Sequence, residues 1–154
     1  MHSRAFILLS ILHLLVSVSC LRATVFGATG GVGQLICAKL LENRINVKAV
    51  SRQLNVANFP LLNGCEFAYA DARNKSTLRD VCGSDLIVIS VGTTAFPTKK
   101  WANGNDPNAA CFQTVENIID TVASMTKRPN TIALLSSIGV DRTSKVRCLK
   151  MDFS

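Results

Sequence analysis

The chain has 154 residues, 48% of them apolar and 18% charged, with a formal charge of +7. That is the size and make-up of one globular domain with a real core, which excludes a disordered chain and a disulfide-stapled miniature. The basic residues are scattered except in "RTSKVRCLK", residues 142–150, where no aromatic side chain interleaves, so a solvated basic tail is expected there and no nucleic-acid partner.

The first twenty residues, "MHSRAFILLSILHLLVSVSC", pair a basic start with an apolar run and then small residues. This is the pattern of a secretory leader, with cleavage before Cys20 or Leu21. The run is short for a membrane span, which needs about 20 residues. An uncleaved anchor and a buried N-terminal helix are the other readings, and no membrane span is expected in the mature chain. His2 and His13 both fall in the leader, so beyond it a Ser-His-Asp triad, a Cys-His pair and a histidine-ligated zinc are excluded. The six cysteines (Cys20, Cys37, Cys65, Cys82, Cys111, Cys148) contain no CxxC pair and no metal-ligand spacing. Single buried thiols are expected, with no disulfide framework and no metal.

After the leader, short apolar runs alternate with helix-period segments. Residues 23–26 predict a first strand. Val32, Leu35, Ile36 and Leu40 then fall on one helical face, with Gln34, Lys39 and Glu42 turned outward. Residues 46–51 and 65–70 predict the second and third strands, joined by a stretch that Pro60 and Gly64 keep from forming a long helix. A short helix is expected over 76–81, and a fully apolar fourth strand over 85–92. A loop follows, punctuated by Pro97 and by Asn-Gly. Asp106 and Pro107 then open a helix as cap and first helical residue. That helix runs to about Met125, with Cys111, Val115, Ile118, Ile119 and Val122 on one face. Residues 131–137 give a fifth strand. Such alternation implies parallel strands joined by right-handed crossovers, hence an α/β doubly wound sheet in the order 3-2-1-4-5. Its ligand site lies beyond the carboxyl ends of the first and fourth strands.

"TVFGATGGVGQL" sits at that place. Gly27, Gly30 and Gly33 form GxxGxxG between a strand and a helix, with Gly31 in addition. The spacing suits a tight turn, a close approach of backbone to a pyrophosphate, and close packing of helix on sheet. Free N–H groups around Gly31 and Val32 then face the phosphates, aided by the helix dipole. A Walker A loop is excluded, because Gln34 stands where lysine is required. At the end of the second strand Ser51 and Arg52 replace the carboxylate that would hold a ribose hydroxyl. Guanidinium suits a 2′-phosphate, so NADP is favoured over NAD. Asp71 either reaches the adenine amino group or simply forms a turn, and Gly92 with Thr93 runs close to the cofactor ribose or starts a loop.

"VFGATGGVGQ", "AVSR", "AYADARN", "VISVGTTAFP" and "LLSSIGV" together resemble the atypical short-chain dehydrogenase/reductase family, and within it the NAD(P)H-binding, NmrA-like branch with plastid members in plants and algae. The likeness spans residues 23 to about 140 and includes the loop around Trp101. It implies a Rossmann-like fold, cofactor contacts at Gly27, Thr29, Gly30, Gly31, Val32, Arg52, Asp71 and Gly92, and a polar residue near the nicotinamide, for which Ser136 or Ser137 is the candidate. The family's catalytic members carry a YxxxK pair. Here the one tyrosine, Tyr69, lies in the third strand and is followed four residues later by Arg73, so the catalytic residues are unknown.

Three segments are expected: a leader over 1–20, the nucleotide-binding domain over 21–140, and a basic tail over 141–154 after which the chain looks truncated. Three functional readings follow. One is an NADP-dependent oxidoreductase or its cofactor half, one a non-catalytic NADP-binding redox sensor or assembly scaffold, and one a piece of a longer protein. The fifth strand would be a sheet edge, open to a second copy or a protein partner. The leader predicts entry into the secretory pathway, and the resemblance adds the plastid of an alga with complex plastids.

Overall fold

A computed structural model of the chain describes residues 21–53, 58–92 and 106–135. Five strands, β1 (Arg22–Phe26), β2 (Asn46–Ser51), β3 (Glu66–Tyr69), β4 (Leu86–Ile89) and β5 (Thr131–Leu134), form one parallel sheet in the order β3-β2-β1-β4-β5. This is the arrangement expected from the alternation of apolar runs and helical periods. The leader, Thr93, Trp101, Ser136, Ser137 and the basic tail lie outside the described residues.

Alternation along each strand sends side chains to two cores. Val25, Val47, Ala49 and Val88 face one side, where Cys37, Ile36, Leu40 and Leu41 of α1 (Gly31–Glu42) cover them. Phe26, Val50, Ile87 and Ile89 face the other, against Leu78 and against Ile118 and Val122 of α2 (Thr114–Ala123). Both faces are thus covered, as a parallel sheet requires. Thr24 is polar yet fully buried in β1; its hydroxyl donates to the Val81 carbonyl at 2.9 Å and meets the Ser84 hydroxyl at 2.6 Å. Among the described residues no helix is long and apolar enough to cross a membrane.

Several local expectations are corrected. The inward face of α1 is rotated from the one its aliphatic pattern suggested: Val32 and Leu35 point outward, and Gly33 with Cys37 meets the sheet. The cause is the close approach at Gly33, which only a missing side chain permits. Instead of a helix over 76–81 there is one 3-10 turn, Lys75–Thr77, capped by Asn74, whose Oδ1 accepts from the Ser76 N–H at 3.1 Å. A second 3-10 turn, Pro60–Leu62, joins β2 to β3. The third and fourth strands are shorter than their apolar runs, as is β5.

The helix before β5 starts as its sequence predicts. Asp106 Oδ1 accepts from the Ala109 N–H at 3.0 Å, and Pro107 takes the first helical position. Its first part, however, is a π-helical segment, Asn108–Gln113, before the α-helical geometry of α2 sets in. Wide turns shift the helical face, which removes Cys111 from the predicted stripe. They also bring Thr114 and Thr121 inside, with their hydroxyls donating to the carbonyls of Ala109 at 3.1 Å and Asn117 at 2.7 Å.

Candidate functional site

At its carboxyl edge the sheet divides. The chain leaving β1 turns into α1 on one face, and that leaving β4 leads toward α2 on the other. Gly27 makes the first turn with φ +77°, and a Cβ there would stand 2.7 Å from the Ser90 carbonyl oxygen. Glycine is required at this point by conformation and by space. The Gly30 N–H closes the turn on the Gly27 carbonyl at 3.0 Å, and the Gln34 N–H starts the α1 ladder on the Gly30 carbonyl at 2.9 Å.

The start of α1 has no side-chain cap and no acidic residue in its first turn. Among the described residues, the N–H groups of Gly31 and Val32 have no partner in the chain. Donors left open on the positive end of a helix dipole suit an anion. A Cβ on Gly31 would meet nothing within 4 Å, so space lies open before it.

A cavity of about 670 Å³ opens beside this loop. Gly27, Thr29 and Gly30 form one wall, Ser51 and Arg52 a second, Tyr69, Asp71 and Arg73 a third, and Ser90 and Gly92 the floor behind β4. Ala110 and Thr114, at the wide turns before α2, also line it. The cavity therefore brings together Gly27, Thr29, Gly30, Ser51, Arg52, Asp71 and Gly92 of the predicted set. Gly31 and Val32 stand on the exposed first turn of α1 outside its lining, and Gly33 is buried beneath the loop.

Polar contacts fix the walls. The Thr29 and Ser51 hydroxyls meet at 3.2 Å across the β1 and β2 ends, and Ser51 Oγ accepts from the Gln53 N–H at 2.9 Å. Arg73 is the residue sequence reasoning passed over. Its guanidinium grips Asp71, Nε to Oδ1 at 3.0 Å and Nη2 to Oδ2 at 2.6 Å, and its backbone N–H donates to Oδ1 at 3.1 Å. The only signal in the sequence was a guanidinium two residues after a strand-end aspartate. These hydrogen bonds from Arg73, with smaller help from the Arg73 and Arg52 charges, hold the Asp71 carboxyl below its ordinary range against the opposing effect of burial. Arg52, Asp71 and Arg73 are the charged side chains among the described lining residues, so guanidinium outnumbers carboxylate around the cavity.

Glycine loop, open helix start and cationic second wall fit a dinucleotide phosphate. A family model described as NAD(P)H-binding matches residues 27–151. The chain belongs to this NAD(P)H-binding family. No curated protein matches it in sequence. Solved structures with a similar fold include a mutant uronate dehydrogenase from Agrobacterium tumefaciens complexed with NAD, at 16% identity and TM-score 0.59, over 76% of this chain and 41% of that one. A glucuronic acid dehydrogenase from Chromohalobacter salexigens matches at 23% identity and TM-score 0.59, over 77% and 41%. ElxO, in a structure with NADPH bound, matches at 15% identity and TM-score 0.59, over 77% and 56%. At these identities the likeness is one of fold, and that fold is Rossmann-like. The chain spans 41% of the length of the two sugar-acid dehydrogenases.

Within this cavity the Asp71–Arg73 pair has a testable pH signature. A carboxyl whose folded pKa is depressed stabilises the fold above its unfolded value, near 3.8, and loses that contribution as pH falls through the lower folded value. Asp71→Asn is therefore expected to cost about 1 kcal/mol at neutral pH, a modest figure for a partly solvated pair. Urea unfolding at pH 7 and again below pH 3.8 checks this; the gap between wild type and variant should close in acid.

Proposed function

We propose that this is the NADP(H)-binding domain of an atypical short-chain dehydrogenase/reductase, a hydride-transferring oxidoreductase. The observation that carries the reading is one cavity with the glycine loop on one wall and Ser51 with Arg52 on the next. In this assignment the N–H groups of Gly31 and Val32 hold the pyrophosphate, and Gly27 and Gly30 let it approach. Thr29 and Gly33 keep loop and helix in place. Ser51 and Arg52 receive the 2′-phosphate. Asp71, oriented by Arg73, faces the adenine amino group, and Gly92 with Thr93 lies along the nicotinamide ribose. A nicotinamide dinucleotide bound there supplies the hydride donor or acceptor. Ser136 or Ser137 remains the proposed polar neighbour of the nicotinamide. Calorimetry on the full chain with NADPH and NADH tests the assignment: NADPH should bind at least about tenfold tighter, the worth of one charge-assisted contact. No binding of either at millimolar concentration overturns it.

One observation favours a second reading, a non-catalytic redox sensor or scaffold. The chain's one tyrosine, Tyr69, stands in β3 on the same wall as Asp71, with Arg73 in place of a lysine four residues on. A YxxxK proton relay therefore has no residues in this sequence. Turnover of NADPH with quinones or carbonyl compounds supports the enzyme; tight binding without turnover supports the sensor.

A partner surface is proposed at β5, the last strand of the described sheet, where Leu134 and the following Leu135 are half exposed. An apolar edge strand invites pairing with another chain. Sedimentation should show self-association that Leu134→Lys weakens; a monomer at high concentration ends the idea. Residues 1–20 are proposed to send the chain into the secretory pathway, and in an alga onward to a complex plastid. A reporter carrying them that stays in the cytosol counts against this.

A further inference from the structure

The sequence contains one Asn-x-Ser/Thr triplet, Asn74-Lys75-Ser76, with no proline in its middle. In a chain that enters the secretory pathway such a triplet is the acceptor for an N-linked oligosaccharide, provided that it lies on the surface. The nucleotide cavity makes no use of it, since Asn74 is not among the lining residues.

Asn74, Lys75 and Ser76 are all exposed, at the 3-10 turn that follows β3. The backbone of this turn is held from the protein side. Asn117 Nδ2 of α2 donates to the Ala72 and Arg73 carbonyls at 3.0 and 3.1 Å. The Thr77 hydroxyl donates between the Asp71 and Asn74 carbonyls, at 3.0 and 2.9 Å. Lys75 Nζ reaches an Asp120 carboxylate oxygen of α2 at 3.0 Å.

The Asn74 side chain takes part with one end only. Its Oδ1 accepts from the Ser76 N–H at 3.1 Å and from the Ser76 hydroxyl at 2.8 Å. A backbone N–H can only donate, so the end of the carboxamide that meets it is the oxygen. Nδ2 is then the other end, and among the described residues it has no partner. Substitution on that nitrogen leaves Oδ1 free to accept as before. The cap of the turn therefore survives the modification, and no hydrogen bond of the fold is given up for it.

We propose that Asn74 is a modification site, the acceptor of one N-linked oligosaccharide as the chain passes through the secretory lumen, which rests on the reading of residues 1–20 as a secretory leader. The donor is an oligosaccharide carried on a lipid pyrophosphate. A bond forms between Asn74 Nδ2 and the anomeric carbon of the first sugar, and the bond from that carbon to the pyrophosphate oxygen breaks. The lipid pyrophosphate leaves with the bonding electrons, and Nδ2 gives up one proton to a base of the transferring enzyme. Nothing is oxidised or reduced. The Ser76 hydroxyl, already against the Asn74 carboxamide, is the group that marks this asparagine out from the others in the chain.

The full chain is produced in eukaryotic cells in two forms, one with its own first twenty residues and one behind a leader of proven secretory function. Protease protection in sealed microsomes identifies the molecules that reached the lumen. The expected result is a gel shift of one oligosaccharide, removed by peptide N-glycosidase, with aspartate then found at position 74 by mass spectrometry. Asn74→Asp keeps the oxygen that caps the turn and should lose the shift completely. Ser76→Ala should lose it as well, and Ser76→Thr, which keeps the hydroxyl, should retain it. A shift seen only behind the proven leader upholds Asn74 as the acceptor and sinks the reading of residues 1–20. Lumenal chain without the oligosaccharide, or a shift that persists in Asn74→Asp, overturns the proposal.

Discussion

Gly33→Ala is expected to destabilise the fold by about 3 kcal/mol, and Gly31→Ala, two residues away, to leave it unchanged or slightly firmer. A Cβ at Gly33 would stand 2.1 Å from the Gly27 carbonyl oxygen and 2.9 Å from Ala28 Cα. Both neighbours are backbone, and neither can rotate away. Nor can the turn recede, since Gly27 already lies against the Ser90 carbonyl. The start of α1 must therefore lift from β1, loosening the contacts of Cys37, Leu40 and Leu41 with Val47 and Ala49. Replacing glycine by alanine within a helix returns only about 1 kcal/mol, too little to offset this. At Gly31 nothing lies within 4 Å, so that gain acts alone. Urea unfolding of both variants decides the matter, and a nucleotide titration adds a second readout. Lifting α1 carries the Gly31 and Val32 N–H groups away from the proposed phosphate position, so Gly33→Ala should also bind NADPH more weakly. If the two variants prove equally stable, α1 does not pack at the distance that its buried face implies.

The strand order was legible because the apolar runs of the strands recur in chain order, the crossovers carrying α1 and α2 announce themselves by a change of apolar period from two to near four, and a right-handed parallel connection leaves few alternatives. The glycine loop was legible because its spacing falls between a strand and a helix. The inward face of α1 was not. Counting aliphatic residues gives weight to Val32 and Leu35, whereas the sheet selects the side with the least bulk, Gly33 and Cys37. A pattern of apolar residues cannot display a face chosen by small ones. The wide turns of Asn108–Gln113 were hidden for another reason: no glycine or proline interrupts them, so the sequence runs on as an ordinary helix. Arg73 was missed because its role depends on a neighbour. Only when the chain folds back at Asp71 does a guanidinium two residues later become part of the cavity wall.

That wall sets the terms of the second large effect, Arg52→Ala. The variant is expected to bind NADPH roughly tenfold to a hundredfold more weakly, with NADH changed by less than about twofold, because a charge-assisted phosphate contact is worth about 1.5–3 kcal/mol. The two guanidinium groups of the cavity do not share the task equally. Arg73 is committed to Asp71 through both its Nε and Nη2. Among the described residues no ion pair engages Arg52, which lies exposed at the end of β2 and near enough to Asp71 to help hold its proton off. In the proposed assignment Arg52 is therefore the cation that would receive the 2′-phosphate. Arg52→Lys should fall between wild type and alanine, since it keeps the charge but loses the two-pronged geometry. Raising salt should narrow the gap between NADPH and NADH in wild type and do little in Arg52→Ala. Equal losses for both nucleotides would assign Arg52 to the shared part of the ligand, and an unchanged preference for NADPH would move phosphate recognition off β2 altogether.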